Sequence, residues 1–145
     1  MHTKTSVGVT TTYTYDGAGR LTNESSGTSS ISYAYDAANN RTSMVNNGTL
    51  TTYTYDANNR MLTETEGGTT KAYTYDANGN QLTSDGATYT YNARGQQTGY
   101  SKGSVTASYT YLPTGLRKSK TVGITTTNYV WDGQNMVYGY INDQN

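Results

Sequence analysis

Aromatic residues recur along the chain in pairs separated by one polar residue, as in "TTYTYDANNRMLTETEGG" at residues 51–68. Seven such pairs follow one another at steps of 20, 20, 20, 16, 20 and 20 residues. An alternation with a period of two is typical of a β-strand, and it places both rings of a pair on the same face. The pattern therefore predicts seven strands with aromatic faces. They are centred on Tyr13/Tyr15, Tyr33/Tyr35, Tyr53/Tyr55, Tyr73/Tyr75, Tyr89/Tyr91, Tyr109/Tyr111 and Tyr129/Trp131.

A turn signal follows each aromatic pair at once. The next residue is a carboxylate in five of the seven copies, and Asp at this position can accept a hydrogen bond from the backbone two residues on. Those acids are Asp16, Asp36, Asp56, Asp76 and Asp132. Three residues after this position stands Gly or Asn, the residues that best tolerate a positive φ. The predicted turn residues are Gly19, Asn39, Asn59, Gly79, Gly95, Gly115 and Asn135.

A second turn signal closes each repeat, as in Asn47-Gly48 and Asp85-Gly86, which are strong hairpin signals. Each repeat is thus predicted to hold two strands and two turns. The expected fold is all-β, with tandem hairpins forming one continuous antiparallel sheet of about 14 strands that curls into a tube, a strip of shell or a fibre wall. A parallel β-solenoid has a similar period, but these turns reverse the chain onto itself and favour hairpins. Residues 1–145 are expected to form a single array of seven repeats.

Composition narrows the range of partners. Ten basic and ten acidic residues give a net charge of zero, without a basic patch for nucleic acid or an anionic membrane surface. No apolar run reaches the length of a membrane span or a signal-peptide core. The apolar content is carried largely by 16 tyrosines at a strict interval, which argues against disorder. We expect neither nucleic acid nor a membrane as a partner.

Four segments carry a family resemblance: "YTYDGAGRLT", "YAYDAANNRTSM", "YTYDANNRMLT" and "YTYDANGNQLTSDG". They resemble YD repeats of the Rhs and wall-associated protein family, and the resemblance runs from about Val7 to Tyr140. The last copy, "YVWDGQNMVYGY", is similar to the variant found near the end of such arrays. The resemblance implies a spiralling β-sheet shell that encloses a cargo polypeptide, often a toxin, and an extracellular or cell-surface location. Related arrays occur in animal cell-adhesion proteins. A shell of that family is many times longer than this chain, and no separate catalytic or toxin domain is expected here.

The tyrosine pairs are interpreted as packing units, with return-strand partners such as Leu21, Met61 and Leu82. The alternative is a sugar-stacking surface, because tyrosine joins a flat apolar face to a hydroxyl. Tyr100, Tyr138 and Tyr140 lie outside the seven pairs and are the better candidates for contact with something else. No binding residues are assigned.

Catalytic, metal and cofactor residues are expected to be absent. The only histidine is His2 and there is no cysteine, which leaves little material for a nucleophile or a soft-metal site. "DANGN" at 76–80 begins like a calcium loop, but it lacks the Gly and the bidentate Glu of that motif, so turn capping is the preferred reading. Glu64 and Glu66 read as a solvated pair. Arginines near the starts of return strands are expected to pair with turn aspartates or to pack over tyrosine rings; they are Arg20, Arg41, Arg60 and Arg117.

The predicted function is a non-catalytic β-sheet repeat element, either of a secreted YD-type shell or of a self-assembling extracellular filament. The alternative is an adhesion module that binds carbohydrate or a cell-surface partner. The strand-like ends "TSVGVTTTYTY" and "NMVYGYIN" leave unpaired sheet edges. Association is therefore expected through the terminal strands, with another copy or with neighbouring YD repeats of a longer chain.

Overall fold

The computed structural model describes residues 2–6 and 8–141; Val7, where the resemblance to YD repeats begins, lies outside them. Fifteen antiparallel strands pair in chain order, and the described residues form no helix. The expectation of an all-β antiparallel fold is confirmed. The strands are β1 (His2–Ser6), β2 (Val9–Tyr15), β3 (Leu21–Ser26), β4 (Ser29–Tyr35), β5 (Arg41–Asn46), β6 (Thr49–Tyr55), β7 (Met61–Glu66), β8 (Thr69–Tyr75), β9 (Gln81–Ser84), β10 (Ala87–Tyr91), β11 (Gln97–Lys102), β12 (Val105–Tyr111), β13 (Arg117–Val122), β14 (Thr125–Asp132) and β15 (Asn135–Ile141).

The even-numbered strands β2 to β14 carry the aromatic pairs and are called Tyr strands below; the odd-numbered strands are return strands. Contacts group the chain into two compact units, one up to Ala72 and the other from Tyr73. Strand β8 contributes to both units. The structure has one strand more than the sequence predicts, because β1 pairs with β2 ahead of the first tyrosine pair.

The first unit shows the period of two in its burial. In β6, Thr51 and Tyr53 are 1% and 6% exposed, whereas Leu50 on the opposite face is 52% exposed. Residues directly opposite in antiparallel strands share a face, so Glu64, which faces Tyr53, belongs to the tyrosine face. The buried side of this single sheet is therefore the side of the rings.

The second unit contains the shortened repeat. Its strands β9 and β10 have 4 and 5 residues, and they meet at a tight turn through Asp85 and Gly86. Ala87, two residues before Tyr89, is 2% exposed and occupies the place that Thr51 holds in the first unit. The Nζ of Lys102 lies 2.9 Å from Oδ2 of Asp85 and holds this turn against the end of β11. The 16-residue step from Tyr73 to Tyr89 thus keeps both turns of the repeat.

A β-bulge marks every Tyr strand where it meets its return strand. In β6 and β7, Thr54 faces Thr63 but Tyr55 faces Met61, so Leu62 is the extra residue. The same shift occurs in all seven repeats. An extra residue leaves part of the ladder unpaired and increases the local twist. One expectation is wrong here: Leu82 is the extra residue of its repeat and Gln81, not Leu82, faces Tyr75.

Candidate functional site

The turn that joins a Tyr strand to its return strand, called the Asp turn, is closed by its first residue. In the first copy, Oδ1 of Asp16 accepts hydrogen bonds from the backbone N–H groups of Ala18 and Arg20, both at 2.9 Å. The N–H of Gly19 donates to the Asp16 carbonyl at 3.0 Å, with Gly19 at a φ of 80°. Such side-chain acceptors stabilise a tight reversal without help from neighbouring strands.

Six copies share the backbone bond and the positive φ, and five of them share the side-chain acceptor; the sixth copy begins with Leu112 and is closed by backbone bonds alone. The third residue after the first turn position has a positive φ in each of them, including the non-glycine residues Asn39 and Asn59 at 70° and 61°. An L-residue with a side chain rarely adopts this conformation, and Asn is among those that tolerate it best. The positive φ values fall on Gly19, Asn39, Asn59, Gly79, Gly95 and Gly115.

The seventh copy differs from the prediction. The structure places Asp132 at the end of β14 and Asn135 at the start of β15, where the two residues face each other. The reversal is a two-residue turn through Gly133, which has a φ of 58°, and Gln134. The prediction of Asn135 as a turn residue is therefore wrong, because Asn135 pairs with Asp132 and Gly133 supplies the positive φ that the two-residue hairpin turn needs.

Hydrogen bonds to the carboxylates lower the pKa of four turn acids. For Asp16 and Asp56 the largest cause is the backbone N–H of the residue four positions on, and for Asp36 and Asp76 it is the side-chain amide at that position. Each hydrogen bond favours the ionised form. In "DANGN", both carboxylate oxygens of Asp76 are used in this way, by the N–H groups of Asn78 and Asn80 and by Nδ2 of Asn80. These contacts confirm the turn-capping reading of that segment.

The residue four positions after the first residue of the turn joins one Asp turn to the next. Nη1 of Arg20 donates to the Asp36 carbonyl and to Oδ1 of Asn39, both at 2.9 Å, while its Nε holds Asp16 at 2.7 Å. Asn40 does the same with its amide, donating to Oδ1 of Asn59 at 2.8 Å. In the second unit Nε2 of Gln96 donates to the Gly115 carbonyl at 2.9 Å. The row of Asp turns is therefore cross-linked by side chains.

The second aromatic of a pair makes another link between repeats. The hydroxyl of Tyr35 donates to the Leu21 carbonyl at 2.8 Å, and Leu21 is the return-strand residue that faces Tyr15 in the preceding repeat. Equivalent donors and acceptors recur in both units. They are Tyr55 to the Arg41 carbonyl at 2.8 Å, Tyr111 to the Gln97 carbonyl at 2.6 Å, and Trp131 Nε1 to the Arg117 carbonyl at 2.8 Å.

The bulge explains why these carbonyls need a side-chain donor. The ladder between β3 and the next Tyr strand ends at Asn23 and Ser32, one residue past the extra residue Thr22. Leu21 lies beyond that end, so its carbonyl is left without a partner from the neighbouring strand. Leaving a partly buried acceptor without a hydrogen bond costs free energy, and the tyrosine hydroxyl supplies the bond. Burial also raises the pKa of Tyr55, which further favours the protonated, donating form of that hydroxyl.

Arginines pack against the rings. The guanidinium of Arg20 lies 5.0 Å from the ring centre of Tyr35, that of Arg41 lies 4.6 Å from Tyr53, and that of Arg117 lies 4.7 Å from Tyr109. Arg60 pairs with Asp56 at 2.7 Å. The expectation that these four arginines pair with turn acids or pack over rings is confirmed.

The remaining candidate residues are engaged in packing or lie at the surface. Tyr100 faces Tyr89, with ring centres 5.6 Å apart, so it belongs to the tyrosine face. Tyr138 and Tyr140 of β15 are 55% and 45% exposed, and their ring centres lie 6.2 Å apart. Glu64 lies 3.5 Å from Nζ of Lys71. No group of three or more His, Asp or Glu residues that could hold a metal occurs among residues 2–6 and 8–141.

The arrangement of repeats matches a known family. The Teneurin YD-shell family matches residues 2–131. The chain belongs to this family. Its repeats are YD repeats, a structural β-sheet element, and no helix in the described part of this YD-shell chain is long and apolar enough to cross a membrane.

One solved structure shows the same fold. A crystal structure of TcdB2-TccC3-Cdc42 superimposes with a TM-score of 0.69 over 94% of this chain, at 18% sequence identity. A structure of the Photorhabdus luminescens Tc holotoxin pore with a mutation in TccC3 covers 92% of this chain at 14% identity and a TM-score of 0.46. The YD-shell chain spans 9% and 12% of the chains that it matches in these two structures. No curated protein sequence matches it significantly.

Proposed function

We propose that this chain is a non-catalytic segment of the wall of an extracellular or cell-surface YD-type shell. The observation that carries the proposal is the hydrogen bond from the second aromatic of one repeat to the bulge carbonyl of the repeat before it, as in Tyr35 to Leu21. The polar groups that recur from repeat to repeat are thereby engaged in hydrogen bonds between repeats. A wall needs such joints, whereas a binding or catalytic site needs recurring polar groups that stay available.

The charged groups support the same role. Turn acids are held by their own turns, as Asp16 is by Arg20, and Glu64 lies beside Lys71. The lowered pKa of the turn acids follows from capping bonds, which is the structural origin of such shifts rather than the catalytic one. A surface made of turns whose polar groups bond to one another suits a passive barrier around another polypeptide.

The test compares stability with carbohydrate binding. We expect a variant with Tyr35, Tyr55 and Tyr111 all changed to Phe to lose about 3 kcal/mol of unfolding free energy, from about 1 kcal/mol for each hydroxyl bond. We also expect neither the parent nor the variant to bind a panel of immobilised glycans. An adhesion module would instead bind a saccharide, lose that binding in the variant and keep its stability. That outcome would overturn the wall role.

The partner we propose is a neighbouring YD repeat rather than the first strand of another copy. In the register of β1 with β2, Thr3 faces Thr12 as Asn23 of β3 faces Ser32 of β4. Strand β1 is thus of the return type, and so is β15. Continuing the array beside β15 requires a Tyr strand, which β1 of a second copy does not supply.

A further inference from the structure

The last return strand, β15, has a backbone carbonyl at the position that earlier return strands use to bond the next repeat, and no described side chain bonds to it. Met136 faces Trp131 and directly precedes the extra residue Val137, so it holds the position that Leu21, Arg41, Gln97 and Arg117 hold in earlier repeats. Each of those four carbonyls accepts a bond from the second aromatic of the following Tyr strand. Within residues 2–6 and 8–141, no side chain donates to the Met136 carbonyl in this way.

An open groove lies next to this carbonyl. Its volume is about 410 Å³, and it is lined by Tyr111, Arg117, Tyr129, Trp131 and Met136. Trp131 itself lies beside Arg117, to whose carbonyl its Nε1 donates. The next aromatic in the series would lie beside Met136 in the same manner, and the groove offers room for its ring there.

The side chains of β15 are of the kind found in a strand whose edge is paired with another strand. Its sequence, NMVYGYI, has no charged residue, and Met136, Val137, Tyr138 and Ile141 are 55% to 59% exposed. Most earlier return strands carry charged residues, such as Glu24 in β3 and Glu64 in β7; β9, with the sequence QLTS, is the exception. Proteins usually protect an exposed edge strand with charges or proline, because its unpaired backbone otherwise pairs with another strand.

We propose that the free edge of β15 docks a YD-repeat hairpin, with the Tyr strand of that hairpin alongside β15. The hydroxyl of its second tyrosine donates to the Met136 carbonyl, and the ring of that tyrosine enters the groove beside Trp131. This inference rests on the proposed wall function and names its partner: a hairpin of the kind that residues 49–66 of this chain form. The repeat-to-repeat contact inside the chain is the template for the contact.

The test uses a synthetic hairpin peptide with the sequence of residues 49–66, titrated into the full chain. Trp131 is the only tryptophan and borders the groove, so its fluorescence reports occupancy. We expect a saturable shift of its emission to shorter wavelengths. A peptide with Tyr55→Phe should bind about 5-fold more weakly, the equivalent of one hydrogen bond. The matched peptide with Tyr53→Phe should bind like the parent: within this chain the Tyr53 hydroxyl accepts a bond from Nη2 of Arg41 at 3.1 Å, and Met136 has no such donor.

A variant of the chain locates the contact. Met136→Lys puts a charge in the groove at an exposed position and should weaken peptide binding at least 10-fold. Leu50→Lys, also at an exposed position but in the first unit, should leave binding unchanged. Circular dichroism establishes that both variants keep the β-sheet spectrum of the parent.

Three results would overturn the proposal. One is the absence of any Trp131 shift at about 1 mM peptide, a concentration well above the dissociation constants of most specific contacts. Another is equal binding of the Tyr55→Phe and parent peptides. The third is a Trp131 shift that depends on chain concentration alone and is unaffected by peptide, which would assign the edge to a second copy. Glycan binding by the chain would count against the wall function but would leave these peptide results interpretable.

Discussion

Replacing Tyr35 by Phe removes one hydroxyl and leaves the rest of the ring in place. The lost atom donates at 2.8 Å to the Leu21 carbonyl, which lies beyond the end of the ladder between β3 and β4. A hydrogen bond of this kind contributes about 1 kcal/mol, and a partly buried acceptor left without a donor adds to the loss. We expect Tyr35→Phe to lower the free energy of unfolding by about 1–2 kcal/mol. Stacking of Arg20 on the ring, 5.0 Å away, is retained by Phe.

The matched control is Tyr33→Phe, in the same strand, whose hydroxyl makes no hydrogen bond with any described residue. We expect a cost below about 0.5 kcal/mol for this change, as for most substitutions away from a specific contact. The same comparison can be made in the second unit between Tyr111→Phe and Tyr109→Phe. Agreement between the two units would show that the bond is a property of the repeat.

Urea unfolding measures the difference, and native-state hydrogen exchange of the amides in β3 and β4 locates it. With a slope of about 2 kcal/mol per molar, the midpoint should fall by about 0.5–1 M for Tyr35→Phe. Repeat arrays unfold in segments, so the local exchange rates are the safer measure. Equal costs for Tyr35→Phe and Tyr33→Phe would refute the role of the hydroxyl.

Three further predictions concern the turns and the sheet. Four turn acids have a pKa below the ordinary 3.8: Asp16, Asp36, Asp56 and Asp76. They contribute stability that is present above that value and is lost as pH falls through the lowered pKa. Melting temperatures should therefore be level from about pH 7 to 5 and fall below about pH 4, and the fall should be less steep once the four acids are changed to Asn. Gly99→Ala puts a Cβ 2.6 Å from Oγ1 of Thr90 and should cost about 1–3 kcal/mol in urea unfolding, most of it restored by adding Thr90→Ala. Asn40→Ala removes the bonds to Asp36 and to the next turn and should cost about 0.5–1.5 kcal/mol, while Asn58→Ala at an exposed turn position should be near neutral in the same assay.

The regular part of the fold could be predicted from the sequence because its signals are local. A period of two gives the strand, and a capping acid followed by a residue that accepts a positive φ gives the turn. Asn135 shows the limit of this reasoning. The first copy, "DGAG", has the same glycine after its acid and forms the longer Asp turn, whereas in "DGQN" Gly133 and Gln134 form a two-residue turn that pairs Asp132 with Asn135.

The links between repeats could not be predicted, because they depend on register rather than on residue type. The extra residue of the bulge is Thr22 in one copy and Leu62 in another, side chains with no shared signature. Without the bulge, the Leu21 carbonyl would have a backbone partner, and the Tyr35 hydroxyl would not be needed as its donor. A weak signal did exist for the turn-to-turn bonds, since the fourth residue after the start of the turn has a hydrogen-bond donor in three copies, as Arg20, Asn40 and Gln96.

Successive repeats joined through the second aromatic of each pair are the basis of the proposed wall, and NMR of the tyrosine hydroxyl protons tests that joint most directly. Hydroxyl protons of Tyr35, Tyr55 and Tyr111 should exchange slowly enough with water to be observed, each with a contact to the return strand of the preceding repeat. Those of Tyr33 and Tyr109 should be lost to rapid exchange. Equal exchange at all five hydroxyls would contradict the joint and, with it, the proposed role of the repeat.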